Sequence, residues 1–280
     1  MSYFGDPKVV ALCDAIERKD LAEIDRLVAE GADVTAKSCV THMTPLLYSF
    51  PSGEAVFKRL LEHGADPNVV FGHSFGTRGA IRPGDSIMTM CAKSEFPNHL
   101  RLALEHGGDP NLADDRGETP IFHAIMKGRE EHLRLLIKSG ADLEHKDNYG
   151  RTPLLCAAGW GAYKYALILI EAGADCRASG RKGGDIVLRL ADRGWRREHM
   201  GPEEGRDYDK LVSILEERGA DFDAARRELE LCAKEGKQAF ASNYRRRLMQ
   251  HRQKERRMNP AWWKAGGRRE ASSKPPGDPE

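Results

Sequence analysis

The sequence predicts an all-α chain, a solenoid of stacked helix-turn-helix units followed by a basic helix and tail. Three observations predict it. A Gly-Ala-Asp signature, or a near copy, begins at Gly31, Gly64, Gly107, Gly140, Gly173 and Gly219, in steps of 33, 43, 33, 33 and 46 residues. A Thr-Pro pair opens an apolar run at Thr44, Thr119 and Thr152, with degraded copies at Ser86 and Asp185. From Ser86, Thr119 and Thr152 to the next signature glycine the distance is 21 residues each time. Between these marks the apolar residues recur at helical spacing, and self-similarity at a fixed period near 33 marks a repeat architecture.

One unit, "TPIFHAIMKGREEHLRLLIKSGAD" (residues 119–142), shows why each piece takes its form. Proline suits the first turn of a helix, where its missing N–H costs nothing. Ile121, Ala124 and Ile125 then follow helical spacing, Gly128 breaks the helix, and Leu133, Leu136 and Ile137 mark a second apolar face before Gly140. A glycine there predicts a left-handed cap. A single pair of helices cannot bury both faces, whereas stacked pairs can. This order of turn, Thr-Pro-Leu, short helix, loop, second helix and Gly-Ala-Asp resembles the ankyrin repeat family, over roughly residues 8–222. The resemblance implies antiparallel helix pairs with turn "fingers" at one edge. Fingers are expected near residues 36–43, 69–85, 113–118, 146–151 and 178–184.

Six units are expected to end near residues 33, 66, 109, 142, 175 and 221. The first, "VALCDAIERKDLAEIDRLVAEGAD", keeps Leu12, Ala15, Ile24, Leu27, Val28 and Gly31 in register but is more charged and lacks Thr-Pro, as a terminal repeat with one solvated side requires. After the sixth, Leu229, Cys232, Ala233 and Gly236 begin a degenerate seventh unit. The repeat domain is therefore assigned to residues 1–236. A C-terminal basic helix follows over 237–258, packing Phe240, Tyr244 and Leu248 at i, i+4, i+8. Residues 259–280, rich in Gly, Pro, Ser and charge, have the composition of a disordered tail.

Two insertions break the period. The first, within Val69–Asp85, lengthens a finger; the second, within Asp192–Asp209, is expected as a loop between the helices of the sixth unit. Such loops either carry function or record drift that loop entropy scarcely penalises.

Several chemistries are set aside. No run reaches the ~20 apolar residues of a membrane helix and no signal segment opens the chain, so a cytoplasmic protein is expected, with the nucleus also open to it. Six scattered cysteines without a C-x-x-C pair predict free thiols in a reducing compartment. Gly72, Gly76 and Gly79 lack the Gly-Lys-Ser/Thr of a phosphate loop. The ten histidines form no H-E-x-x-H, and His63 and His106 sit where a helix C-terminus favours them. Cys91, Cys156 and Cys232 fall at or beside small inner-helix positions with no evident His or Asp partner. No enzyme, cofactor or metal site is expected, and the chain is expected to be monomeric.

The expected function is that of a protein-protein interaction adaptor, since the resemblance implies binding through fingers and the concave face of the first helices. Trp160 stands where the neighbouring units carry Lys127 and Ser94, so it is either an exposed anchor or a ring folded over the next helix. Tyr149 and Arg151, with Arg116, Glu118 and Lys127 one unit earlier, are either its polar surround or ordinary solvated residues. The alternative lies in the C-terminal region. Between Tyr244 and Arg269 ten cations face one acid, leaving −8 for the remainder of a chain of net charge +1. Arg245, Arg246, Arg247, Arg252, Lys254, Arg256 and Arg257 could neutralise phosphates, and Trp262 and Trp263 could stack on bases or enter an anionic membrane surface.

Overall fold

The computed structural model describes residues 4–38, 42–72, 81–177, 186–194 and 197–234. Among them the chain is helical, without β-strands, and an antiparallel bridge joins Val70 and Ser86. It divides into two compact units, residues 1–148 and 149–280. The first contains α1 (Pro7–Arg18), α2 (Leu21–Ala29), α3 (Pro45–Tyr48), α4 (Glu54–Glu62), α5 (Ile87–Lys93), α6 (Pro97–Glu105), α7 (Pro120–Met126) and α8 (Glu130–Lys138). The second contains α9 (Pro153–Trp160), α10 (Tyr163–Glu171), α11 (Ile186–Gly194), α12 (Pro202–Glu217) and α13 (Phe222–Lys234). Within each unit like packs on like: α5 on α7 and α6 on α8 in the first, α9 on α11 and α10 on α12 in the second.

The repeated motifs act locally. Thr44, Ser86 and Thr152 each precede a helix, and their hydroxyls accept the amides of Leu47, Thr89 and Leu155 at 3.2, 3.1 and 3.3 Å. Each such cap stabilises its helix by about 1 kcal/mol. Ser86 lacks the following proline, and a reciprocal bond from its own amide to Thr89 Oγ1, 2.8 Å, completes a capping box instead. At the other end, Gly140 and Gly173 adopt φ of 84° and 98°, a region costly to residues with a Cβ. That turn lets the next amide reach back five residues, Ala141 to Leu136 at 3.0 Å and Ala174 to Leu169 at 2.9 Å, satisfying a carbonyl at the helix end. Ala32, Ala65, Gly108 and Ala220 repeat the same bond.

Asparagines tie neighbouring repeats of the first unit together. Asn68 donates to the Gly107 carbonyl at 2.9 Å and accepts the Asp109 amide at 2.7 Å. Asn111 does the same for Gly140 and Asp142, at 3.2 and 2.7 Å. The core is built from both helices of the repeats. Ile87, Met88, Ile121, Phe122, Leu133 and Leu136 are fully buried in the first unit, and Ala157, Tyr163, Ala166, Leu169 and Leu190 almost fully in the second. Helix α9 is apolar nearly all round, Pro153 to Ala158 being buried, which is the pattern of a helix covered on every side.

The insertions take different forms. The first is pinned at its base by the Val70–Ser86 bridge, by Phe71 N–H to Asp85 at 2.8 Å and by Ile87 N–H to Val69 at 3.2 Å, with Phe71 fully buried. Its tip, residues 73–80, lies outside the described residues. The second insertion departs from the expected loop: residues 202–209 are helical and lengthen α12 to 16 residues. Pro202 in the first turn, with Glu203 and Glu204 beside the positive helix end, accounts for the extension. The expected helix over 237–258 and tail over 259–280 lie outside the described residues.

Candidate functional site

Tyr149, Arg151 and Trp160 are brought together at one end of α9. Tyr149 lies in the turn before the helix, where Gly150 takes φ 74°, and Arg151 immediately precedes the Thr152 cap. Trp160 is the last residue of α9, terminated by Gly161 at φ 78°. Trp160 thus stands at the far end of an eight-residue helix from the finger side, yet Arg151 is long enough to span part of that distance. Its Cζ stands 4.9 Å from the Tyr149 ring centroid and 5.8 Å from that of Trp160. Each cation–π contact of this kind contributes about 0.5–1 kcal/mol at an exposed site. Tyr149 is 58% exposed and Trp160 40% exposed, among the few large apolar side chains so open. The two alternatives for Trp160 therefore meet in one side chain, packed on one side and open on the other.

Helix α11 adds two guanidiniums. Arg193 donates to the carbonyl of Gly159, the residue before Trp160. Arg189 Nη1 lies 3.1 Å from where a Cβ on Gly159 would stand, so glycine makes room for it. Among the described residues neither arginine forms an ion pair, and Arg189 Nε is buried without a hydrogen-bond partner. Neither was singled out from sequence. The available signal was register: Arg189 occupies the inner-helix place held by Cys156 and His123 in the two preceding repeats, an unusual place for a charge.

The candidates of the first unit lie differently. Lys127 is exposed at the end of α7, and Arg116 is half-exposed. Glu118 is 3% exposed, which corrects its assignment to a solvated binding rim. Its carboxylate is paired with Arg116 at 3.0 Å and its amide donates to Asp114 Oδ1 at 2.9 Å, so the finger turn folds inward around it.

That turn belongs to a buried charge network absent from the sequence-based expectations. Asp85, 1% exposed, accepts Lys93 Nζ at 2.6 Å and the Arg82 amide at 2.9 Å. Asp114 Oδ1 accepts the amides of Arg116 and Glu118, both at 2.9 Å, while Oδ2 faces His123 Nε2 at 3.2 Å and Arg116 at 3.5 Å. Burial opposes ionisation of Asp114, but the His123 contact and the two amides outweigh it and hold the carboxyl at about 2. Asp85, Asp114 and His123 each offer a ligand atom within 4.8 Å of the others. Every one of these carboxylate oxygens already faces a donor, however, so the arrangement is that of a charge-paired fastening between repeats. Removing one partner would leave a buried charge uncompensated.

Of the other residues noted from sequence, His63 and His106 end α4 and α6. His63 Nε2 lies 2.7 Å from Asp25 and His106 Nδ1 2.9 Å from the Leu102 carbonyl. Cys13, Cys91, Cys156 and Cys176 are buried free thiols, and burial first of all pushes Cys13 up to about 12 and raises Cys91 and Cys176. The basic candidates Arg245, Arg246, Arg247, Arg252, Lys254, Arg256 and Arg257, with Trp262 and Trp263, lie outside the described residues.

Comparison with known proteins gives two findings. Residues 87–179 match the family model "Ankyrin repeats (3 copies)". Among solved structures, the crystal structure of the ankyrin repeat domain of Bcl-3, a member of the IkappaB protein family, is similar with a TM-score of 0.61 at 23% identity. That similarity covers 78% of this chain and 88% of the other, and speaks to the fold. No curated protein matches the sequence.

Proposed function

We propose that this chain, which carries ankyrin repeats, is a non-enzymatic adaptor that binds a protein partner through Tyr149, Arg151 and Trp160. Ankyrin repeats are in general protein-protein interaction modules. The observation that carries the reading is the cluster itself: two open aromatic rings bracketing one guanidinium at an edge of the repeat stack. Trp, Tyr and Arg are the side chains that dominate binding energy at interfaces, because they offer large contact area with few rotors and a polar handle. The buried thiols, whose nucleophilic form burial disfavours, and the buried carboxylates, already engaged by Lys93, Arg116 and His123, support a binding rather than a catalytic use of the fold. We place the protein in a reducing compartment, the cytoplasm, as a monomer.

Affinity capture with the intact chain, beside Tyr149→Ala and Trp160→Ala chains that retain their melting transition, tests this reading. A protein partner retained by the intact chain and lost by both variants is expected. Partners retained equally by all three would overturn it.

A second reading rests on ten cations facing one acid between Tyr244 and Arg269, which suits nucleic acid or an anionic membrane. Nucleic-acid binding through this segment would weaken with salt at a slope of about −0.7 to −0.9 per phosphate neutralised. A chain ending near Gly236 would lose that binding altogether.

A further inference from the structure

Two guanidiniums converge on the backbone from Gly159 to Gly161, and among the described residues neither is ion-paired with a carboxylate. Arg193 is anchored to the Gly159 carbonyl and its Nη1 lies 3.3 Å from the Cβ position of Gly161. Arg189 lies against Gly159 on the same helix, one turn away, and Arg151 approaches from the turn before α9 over the Trp160 ring. Several other guanidiniums of this unit are matched with acids: Arg177 with Asp175 at 2.8 Å, Arg197 with Asp209 at 2.5 Å and Arg226 with Asp223 at 3.1 Å. The acids nearest the convergence are Glu204, whose Oε1 stands 3.2 Å from the Gly161 Cβ position, and Asp192 on α11. Neither is ion-paired with Arg189 or Arg193 among the described residues. The buried, unpartnered Nε of Arg189 shows the same deficit at the level of one atom. A donor buried without an acceptor is destabilising, and a guanidinium gains most from a planar carboxylate that takes two of its N–H groups at once.

We infer that the partner presents an acidic segment, with a carboxylate against Arg189 and Arg193 and an apolar or aromatic side chain against Trp160. The inference rests on the protein-binding reading above and specifies its ligand. Charge complementarity selects this occupant. The chain's own C-terminal segment, ten cations against one acid between Tyr244 and Arg269, would be repelled. An uncharged apolar peptide would cover Trp160 but leave the guanidiniums without counter-ions and poorer in water. The geometry also ranks the residues. Trp160 and Tyr149 supply contact area, Arg189 supplies the discriminating charge, and Arg193 serves mainly to hold the Gly159 carbonyl.

A displayed library of random peptides of about twelve residues, selected on the full chain, tests this. Asp and Glu should be enriched beside an apolar residue. A selected peptide, synthesised with its acids changed to Asn or Gln, should bind about tenfold more weakly. Arg189→Gln and Arg151→Gln chains should bind the acidic peptide more weakly but hardly distinguish it from its amide form. Arg189→Glu should bind a peptide carrying Lys in place of the acids better than the intact chain does. That reversal cannot arise from loss of folding, and thermal melts of each variant accompany the binding data. Selection without acidic enrichment, selection of no peptide, or an acidic peptide indifferent to both Arg189 substitutions overturns the inference. The adaptor reading would survive each of those results if partner capture still depended on Tyr149 and Trp160.

Discussion

Replacing Trp160 by Ala removes a ring of which two-fifths is open to solvent. An aromatic side chain buries about 150–250 Å² when fully covered, so the covered three-fifths of Trp160 amounts to roughly 100 Å². At about 25 cal/mol per Å² that is an upper value near 2.5 kcal/mol, reduced by residual burial in the unfolded chain and by what Ala retains. Loss of the Arg151 contact, 5.8 Å from the ring centroid, adds about 0.5 kcal/mol. The expected loss of stability is therefore about 1–2 kcal/mol, while a central anchor should cost binding about 2 kcal/mol or more. The two effects are separable by temperature. Binding is measured by calorimetry well below the lower melting transition, where both proteins are almost wholly folded, and stability by denaturant unfolding. Trp160→Phe should recover much of the stability and only part of the affinity, since it restores packing without the full open face. A variant that melts earlier yet binds the partner with unchanged affinity would show that Trp160 serves packing alone.

Three further outcomes concern other residues of the first unit. Asp114 is held at about 2, below its ordinary 3.8, so its stabilising effect is fully present above about pH 4 and disappears as pH falls through 2. Asp114→Asn should cost about 2 kcal/mol at pH 7, and unfolding curves of variant and parent should converge in that acid range; a difference independent of pH would contradict the assignment. Asn111→Ala removes two hydrogen bonds linking successive repeats and should lower stability by about 1–3 kcal/mol in chemical denaturation, whereas an unchanged midpoint would mean that water replaces them freely. Cys91 is wholly buried and its thiolate is disfavoured, so it should resist a thiol reagent in the folded chain and react on unfolding, with mass spectrometry locating the adduct; rapid modification under native conditions would place it elsewhere.

How much of this was legible depends on how local each device is. Gly140 and Gly173 end helices through bonds within six residues, and Thr152 caps one within three, so their chemistry shows as a sequence pattern. The extension of α12 was readable too, in Pro202 followed by Glu203 and Glu204, but counting residues against a period of 33 turns any surplus into a loop. Glu118 looked like a solvated finger residue because nothing adjacent to it is apolar. Its burial follows from the turn that brings Asp114 and Arg116 onto it, through contacts within four residues that apolar patterning does not report. Arg189 and Arg193 were missed for a different reason. Their place beside Gly159, 30 and 34 residues away in sequence, is set by the packing of α11 on α9, and only a column-by-column comparison of repeats exposes a charge where neighbours carry Cys156 and His123. Trp160 and Tyr149 were readable as surface candidates because other repeats place polar residues at the first position, but the bridging role of Arg151 between them needs coordinates.

Photocrosslinking from position 160 tests most directly whether the end of α9 is where a partner docks. A photoreactive phenylalanine replaces Trp160 in the full chain, and a control chain carries it in place of Lys58, exposed on α4. Crosslinking to a discrete protein from position 160, absent from position 58 and abolished by excess of the unmodified chain, is the expected result. A partner that crosslinks from position 58 and not from position 160 would contradict it.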